Sequence, residues 1–424
     1  VYSKTIRRRA LDLCFQRIIA EQRSTQYQAL SPVNGLLNCL AIWSRDAKHP
    51  DFVPSLEGVS KWKWEDATEG IRYVGARSTA WDTAFSILAL TESPAVAAGS
   101  GETLRRGYAF LRDTQITSEI TDYREQGRDP AAGGWCFSDG AHRWPVSDCT
   151  AEALCAVLAL HHLEDEVVAE QERIPDDRLA QAAEFILYRQ NADGGFGTYE
   201  RRRASSWLER VNPSEMYGQC MTERSYIECT ASSISALSDF RQSYPGVLQP
   251  RIDNAIQRGV AFLRRSQRPD GSYAGFWGVH FTYAIFHVTK ALRASGVSAD
   301  DATLVRAAEW LVSKQKPDGG WGEHYSGCLS DRYVEHPVSQ VVMTSWSLLA
   351  LMQVMPRDSE PVRRGIAWLA ARQEDDGSWP SQAVNGVFFG SAMLDYRLYK
   401  SYFPVWALAR YAASSAATRP VSKL

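Results

Sequence analysis

No two cysteines in this 424-residue chain stand in a C-x-x-C arrangement. The eight that occur (Cys14, Cys39, Cys136, Cys149, Cys155, Cys220, Cys229, Cys328) are scattered. That distribution suggests neither a zinc ribbon nor a disulfide framework and fits reduced thiols in an intracellular protein. An excess of one charge is missing too. Lys and Arg number 47 against 49 Asp and Glu, and the runs Arg7-Arg8-Arg9 and Arg201-Arg202-Arg203 are short. A nucleic acid is therefore not an expected partner. No apolar run reaches the length of a bilayer span, and the stretch from Trp346 to Met355 reads as a core helix. No signal-peptide pattern follows Val1, and a helical pattern begins at once over Thr5 to Ile19. That opening is expected of a piece of a longer polypeptide. What is present is a globular composition, 45% hydrophobic and 23% charged, enough for one large core or two smaller ones.

Five segments share one design. It is clearest in RGVAFLRRSQRPDGSY (Arg258 to Tyr273), AAEWLVSKQKPDGGW (Ala307 to Trp321) and RGIAWLAARQEDDGSW (Arg364 to Trp379). Looser copies are AAEFILYRQNADGGF, ending at Phe196, and RGYAFLRDTQ, which reaches Gly134-Trp135 only after a long insertion. In each, apolar residues recur at helical spacing up to a Gln, and a Gly-containing turn stops the helix before an aromatic residue. The stretches between copies, such as CTAEALCAVLALHHL, CTASSISALSDF and SQVVMTSWSLLALMQVM, are also helical by period. The spacing predicts an all-α chain of stacked helical hairpins, either an open solenoid or a closed α/α toroid; periodicity does not choose between them. The repeat itself reads as structural, with Gln and Trp tying the end of one helix to the next hairpin.

Chemistry is expected in Val146-Ser147-Asp148-Cys149-Thr150-Ala151-Glu152, which sets two carboxylates and a thiol at the mouth of an apolar helix. Ser147 and Asp148 stand where a simple N-cap belongs, and a helix N-terminus favours the ionised carboxylate. Apolar flanks and Glu152 at i+4 push the other way, raising the Asp148 pKa and making it a proton donor. A second helix start, Tyr226-Ile227-Glu228-Cys229-Thr230-Ala231, repeats the Cys-Thr-Ala core. Thiols are weak donors able to orient a protonated carboxyl, although most free cysteines are small core residues. Aromatics are abundant, with 14 Trp, 18 Tyr and 15 Phe. Trp81, Phe137, Tyr199, Trp277, Phe388 and Phe389 lie outside the repeats in Gly-rich or helix-start settings. Rings lining a cavity stabilise a desolvated cation by roughly 1–2 kcal/mol each, while core packing is the ordinary role of any single one.

These segments resemble the oxidosqualene cyclases. The resemblance rests on VSDCTAEAL, the five repeats, WDTAF (Trp81 to Phe85), NPSE (Asn212 to Glu215) followed by YIECT, GFWGVHFTYA (Gly275 to Ala284) and FPVWALARY (Phe403 to Tyr411). It runs from SPVNGLLNCL at Ser31 almost to the C-terminus. It implies a double-layer helical barrel: residues 1–50 the end of an upstream α/α barrel domain that is mostly missing, and 51–424 the catalytic α/α barrel. The implied activity is cyclisation of (3S)-2,3-oxidosqualene to a tetracyclic sterol precursor, lanosterol first, at an intracellular membrane surface and by a monotopic protein. Asp148 matches the acid that protonates the epoxide, and Cys149 and Cys229 the thiols bonded to it. Trp81, Phe137, Trp277 and Phe388 match cavity aromatics, Tyr199 a tyrosine near the final proton loss, and Tyr396 joins them against the substrate. No metal, nucleotide or other cofactor is called for.

Departures bear on the product. Val146 looks like lanosterol-forming members and His142 like cycloartenol-forming ones, and both are placed among substrate-contacting residues. IRYVGARSTAW reads as one residue short, and Cys220 stands near a usually aliphatic entrance position. Lanosterol, parkeol and cycloartenol types stay open. A squalene-hopene type enzyme protonates an alkene and carries Asp-x-Asp-Asp, which does not occur here. A zinc prenyltransferase needs an Asp/Cys/His set, and His280, His324 and His336 lack ligand spacing. A catalytically inert truncated toroid is the alternative from outside enzymes.

Overall fold

The computed structural model describes residues 3–67, 70–75, 77–163, 167–213, 218–382 and 384–417. Six helices form an inner layer: Thr79–Thr91, Ser147–His161, Ile227–Ser243, Phe281–Ala294, Val341–Leu351 and Tyr399–Ala417. Each packs on the next, and the last packs back on the first, so the described helices close into a ring rather than an open solenoid. These helices are buried almost all round. In Ser147–His161, every residue from Ser147 to Leu158 is buried, as expected of a helix with apolar or small residues on all faces. Outside them lie Gly101–Thr114, Asp176–Tyr188, Gln249–Ser266, Ala302–Ser313 and Glu360–Ala370, which bury only one stripe each. The fold is an α/α toroid.

Closure depends on polar contacts between residues more than 300 positions apart. Trp81 Nε1 donates to Tyr399 Oη (2.9 Å) and Tyr402 Oη to Asp82 Oδ1 (2.8 Å). Glu92 takes Trp406 Nε1 at 2.7 Å and the Arg410 guanidinium at 2.7 and 2.8 Å.

The repeats are the joints of the outer layer. Gln315 donates its side-chain amide to Gly319 O and to Pro361 O of the next outer helix, both at 2.8 Å. Gln190 does the same with Gly194 O and Ala255 O, and Gln267 with Gly271 O and Thr303 O. Trp135, Trp321 and Trp379 each send Nε1 to a carbonyl in the last turn of the outer helix before them, Leu111, Leu311 and Leu369. Gly319 has φ +96°, and a Cβ there would lie 2.8 Å from Arg364 O. Both the left-handed backbone and the close approach of the next helix require glycine. Among the described residues the Gln373 side chain bonds Gly377 O of its own turn and no further outer helix.

Two features were not expected from the sequence. Short antiparallel hairpins pair Lys63–Asp66 with Gly70–Tyr73 and Gly386–Phe388 with Ala392–Leu394. Strands of three or four residues carry too few positions for a period-2 pattern to show. The helices Lys4–Ser24, Pro32–Arg45 and Phe52–Gly58 precede the ring, and Leu36, Leu37, Leu40 and Trp43 of the second are exposed.

Candidate active site

The N-terminal turns of four inner helices converge on one cavity, bringing Trp81, Asp148 with Cys149, Tyr283 and Tyr399 to its wall. Loops add Phe137, Val146, Thr198, Tyr199, Trp277, Phe388 and Tyr396. Cys229, in the first turn of a fifth inner helix, stands behind the carboxyl. The rings meet at their edges: Phe137 lies 6.0 Å from Phe388 and 6.2 Å from Tyr396, and Trp277 5.5 Å from Phe388. Tyr396 stacks on Tyr399 at 4.5 Å. Burial pushes the hydroxyls of Tyr199, Tyr283, Tyr396 and Tyr399 up, so they stay neutral.

Asp148 is the carboxyl of this wall, and only 8% of the residue is exposed. Its Oδ1 accepts the Cys149 amide at 2.8 Å, and its Oδ2 accepts the Cys229 thiol at 3.6 Å. Thr198 Oγ1 lies 3.1 Å from the same sulfur and fixes its position. Burial pushes the Asp148 pKa up to about 6, the amide and thiol bonds pull it down, and the charge of Glu228 adds to the rise. The helix N-terminus favours the carboxylate by ~0.3–1 kcal/mol, up to ~2. The rise of about two units corresponds to about 3 kcal/mol in the opposite direction. Burial therefore decides, and the acid holds its proton into the weakly acidic range.

Three expectations change. The residue before the helix is Val146, with no side-chain cap; Ser147 Oγ donates to Gly197 O (2.6 Å), so neither Ser147 nor Asp148 is the N-cap. Glu152 is not the carboxylate that acts on Asp148. It is held by Lys290 Nζ (2.6 Å) and Ser232 Oγ (2.7 Å), and although burial opposes its ionisation, Lys290 keeps its pKa low. The acting neighbour is Glu228. Cys149 meets Asp148 through its main-chain amide, which donates to Oδ1, and through its thiol, and the residue also joins the wall. His142 is buried away from the cavity lining, with Nδ1 facing the Trp144 amide at 3.3 Å, and burial lowers its pKa to about 4. A turn residue three positions after a capping Asp139 points into its own loop rather than toward the site.

Thr198, Tyr283 and Tyr399 were missed as wall residues. Thr198 and Tyr283 lie inside GTYE and GFWGVHFTYA, so neighbouring positions carried a signal; Tyr399 reaches the wall only because the ring closes. Cys220 is exposed beside Asn212, and Ser214 and Glu215 of the NPSE motif and Ala76 of the 71–81 loop lie outside the described residues.

A closed toroid with one hydrogen-bonded acid facing a cage of aromatic rings is the architecture of a terpene cyclase. The chain belongs to the squalene-hopene cyclase C-terminal domain family, whose model matches residues 77–413. It is 39% identical to the cycloartenol synthase of Dictyostelium discoideum, over 97% of this chain and 58% of that protein. It is 36% identical to the lanosterol synthase of Mus musculus, over 97% of this chain and 56% of that protein. The chain thus spans a little over half the length of these relatives. The type II terpene cyclase MstE from Scytonema is similar in fold, with a TM-score of 0.52 and 19% identity over 84% of this chain and 92% of that one.

Proposed function

We propose that the complete polypeptide cyclises (3S)-2,3-oxidosqualene to a tetracyclic sterol-type alcohol, with lanosterol the expected product. The observation that carries this reading is Asp148, buried, hydrogen-bonded by the Cys229 thiol and the Cys149 amide, and facing an aromatic cavity. In this mechanism the Asp148 carboxyl passes its proton to the epoxide oxygen as the carbon–oxygen bond breaks. The tertiary cation formed is attacked by the substrate's own alkenes in turn, and a proton lost from the last cation ends the sequence. The reaction is an isomerisation and balances without a redox partner. Val146 would help fold the chain of alkenes, and Trp81, Phe137, Tyr199, Trp277, Phe388 and Tyr396 would present π-faces to successive cations.

A lipid substrate supports membrane association, which we propose is monotopic and at an intracellular membrane. Among the described residues no helix is long and apolar enough to cross a membrane. The upstream portion of the polypeptide is the proposed cover for the exposed Leu36, Leu37, Leu40 and Trp43. Expression of the gene with all its upstream coding sequence, supply of 2,3-oxidosqualene and product identification by gas chromatography with mass spectrometry tests the reading. A tetracyclic alcohol supports it; folded full-length protein yielding no cyclised product overturns it.

A further inference from the structure

We infer that Glu228 is a positioning residue for the cavity wall, its carboxylate fixing the main chain of Trp277 and, through it, the hairpin that carries Phe388. This rests on the cyclase reading above.

Glu228 is buried in the first turn of helix Ile227–Ser243, directly before Cys229. Its Oε1 accepts two consecutive amides, from Phe276 at 2.5 Å and Trp277 at 3.0 Å. The Trp277 carbonyl in turn accepts the Val387 amide at 3.3 Å, and Gly278 bridges Gly386 beside it. One carboxylate, one peptide and the 386–394 hairpin therefore stand in series. At the end of that series the Trp277 ring lies 5.5 Å from Phe388 and 5.3 Å from Phe389. Gly275 is the steric counterpart: a Cβ there would lie 2.6 Å from Glu228 Oε1. The glycine that opens GFWG leaves the space through which the carboxylate reaches the amides. A buried residue that only filled volume would need no acceptor, and burying a carboxylate carries a desolvation penalty unless its bonds offset it.

Trp277 faces the cavity while Glu228 does not line it. Loss of the clamp should therefore change how far the cation cascade runs, a product ratio separate from the rate of the acid step, which Glu228 also touches through its charge on Asp148. The measurement is the ratio of fully to partly cyclised products made from 2,3-oxidosqualene by the full-length polypeptide. Glu228→Ala should raise the partly cyclised share by roughly fivefold, while Glu228→Gln, which keeps an acceptor oxygen, should stay within about twofold of wild type. Gly275→Ala, which crowds the carboxylate and the His280 carbonyl together, should shift the spectrum in the same direction as Glu228→Ala. In a Trp277→Ala background, Glu228→Ala should add little, because the residue it positions is gone. A wild-type ratio in soluble Glu228→Ala, or a full additional effect in the Trp277→Ala background, overturns the inference. If Glu228→Ala does not fold, the Gly275→Ala spectrum decides in the same sense. Absence of any cyclised product from the wild type would instead remove the functional reading on which the inference stands.

Discussion

The Cys229 thiol reaches Asp148 Oδ2 at 3.6 Å from a helix whose sequence position is 81 residues away. The contact joins the first turns of two adjacent inner helices, so the acid and its orienting group are placed by the ring itself. A neutral thiol can hold a carboxyl without making it an ion pair, which would depress its pKa. That is the arrangement a proton donor needs.

Replacing Asp148 by Asn keeps size and removes the transferable proton. Cyclisation by the full-length polypeptide is expected to fall by at least ~10³-fold, with an unchanged circular dichroism spectrum. Turnover within tenfold of wild type would remove the acid assignment.

The same substitution has a pH signature. The Asp148 pKa in the fold, about 6, lies above the ordinary carboxylate value. Its contribution to stability is therefore complete below the ordinary value and is lost as pH rises through about 6. Asp148→Asn should gain stability relative to wild type by up to ~3 kcal/mol between pH 4 and pH 7. Urea melts at both pH values measure this, and the comparison cancels Asp82, which burial also raises to about 6. A constant difference between variant and wild type would mean that Asp148 does not titrate in this window. Activity should decline as pH rises through the same region.

Cys229→Ala removes one thiol bond to the acid. Initiation should slow by roughly threefold to tenfold, about 1 kcal/mol, with the product spectrum preserved. Val146→Ala should do the reverse, since Val146 touches the cavity and not the carboxyl network. Steady-state rates and product ratios for the pair separate the two effects. A changed spectrum in Cys229→Ala at unchanged rate would contradict the assignment.

Gln315 and Gln373 occupy the same position in two copies of one repeat but have different surroundings. Gln315 joins its turn to the next outer helix, whereas Gln373 is exposed and bonds only its own turn. Gln315→Ala is expected to cost about 1–3 kcal/mol in chemical unfolding and Gln373→Ala under about 1. Equal costs would show that the bridge to Pro361 O contributes nothing.

Breaking the Glu152–Lys290 pair should be more severe. Glu152 is fully buried, and Lys290 is almost so. Lys290→Met, which leaves the carboxylate uncompensated, should destabilise by about 3–5 kcal/mol, and the double replacement Glu152→Leu/Lys290→Met by clearly less. A double-mutant cycle in urea measures the coupling; an additive result would show that the two residues are not coupled.

The repeat copies, with Gln, Gly and Trp at fixed offsets, made the hairpin-by-hairpin architecture legible, because each joint is local. Gln315 Nε2 to Gly319 O and Trp321 Nε1 to Leu311 O are bonds within one copy. The Asp148 and Cys229 helix starts were legible for a related reason: acid, thiol and apolar helix follow one another in the chain. What the sequence alone determined about this protein is therefore its α content, its repeat unit and the residue types brought to the mouths of its inner helices. The tertiary structure decided the rest. Solenoid and toroid share one periodicity, and contacts made across the whole length of the barrel, among them Trp81–Tyr399, Tyr402–Asp82 and Glu92–Arg410, close the ring. Which carboxylate acts on Asp148 also depended on packing: Glu152 is nearer in sequence, but Lys290 claims it from the inner helix two places round the ring. Helical spacing places side chains on a face; it does not state which helix that face meets, and electrostatic partnership is fixed only when the helices pack.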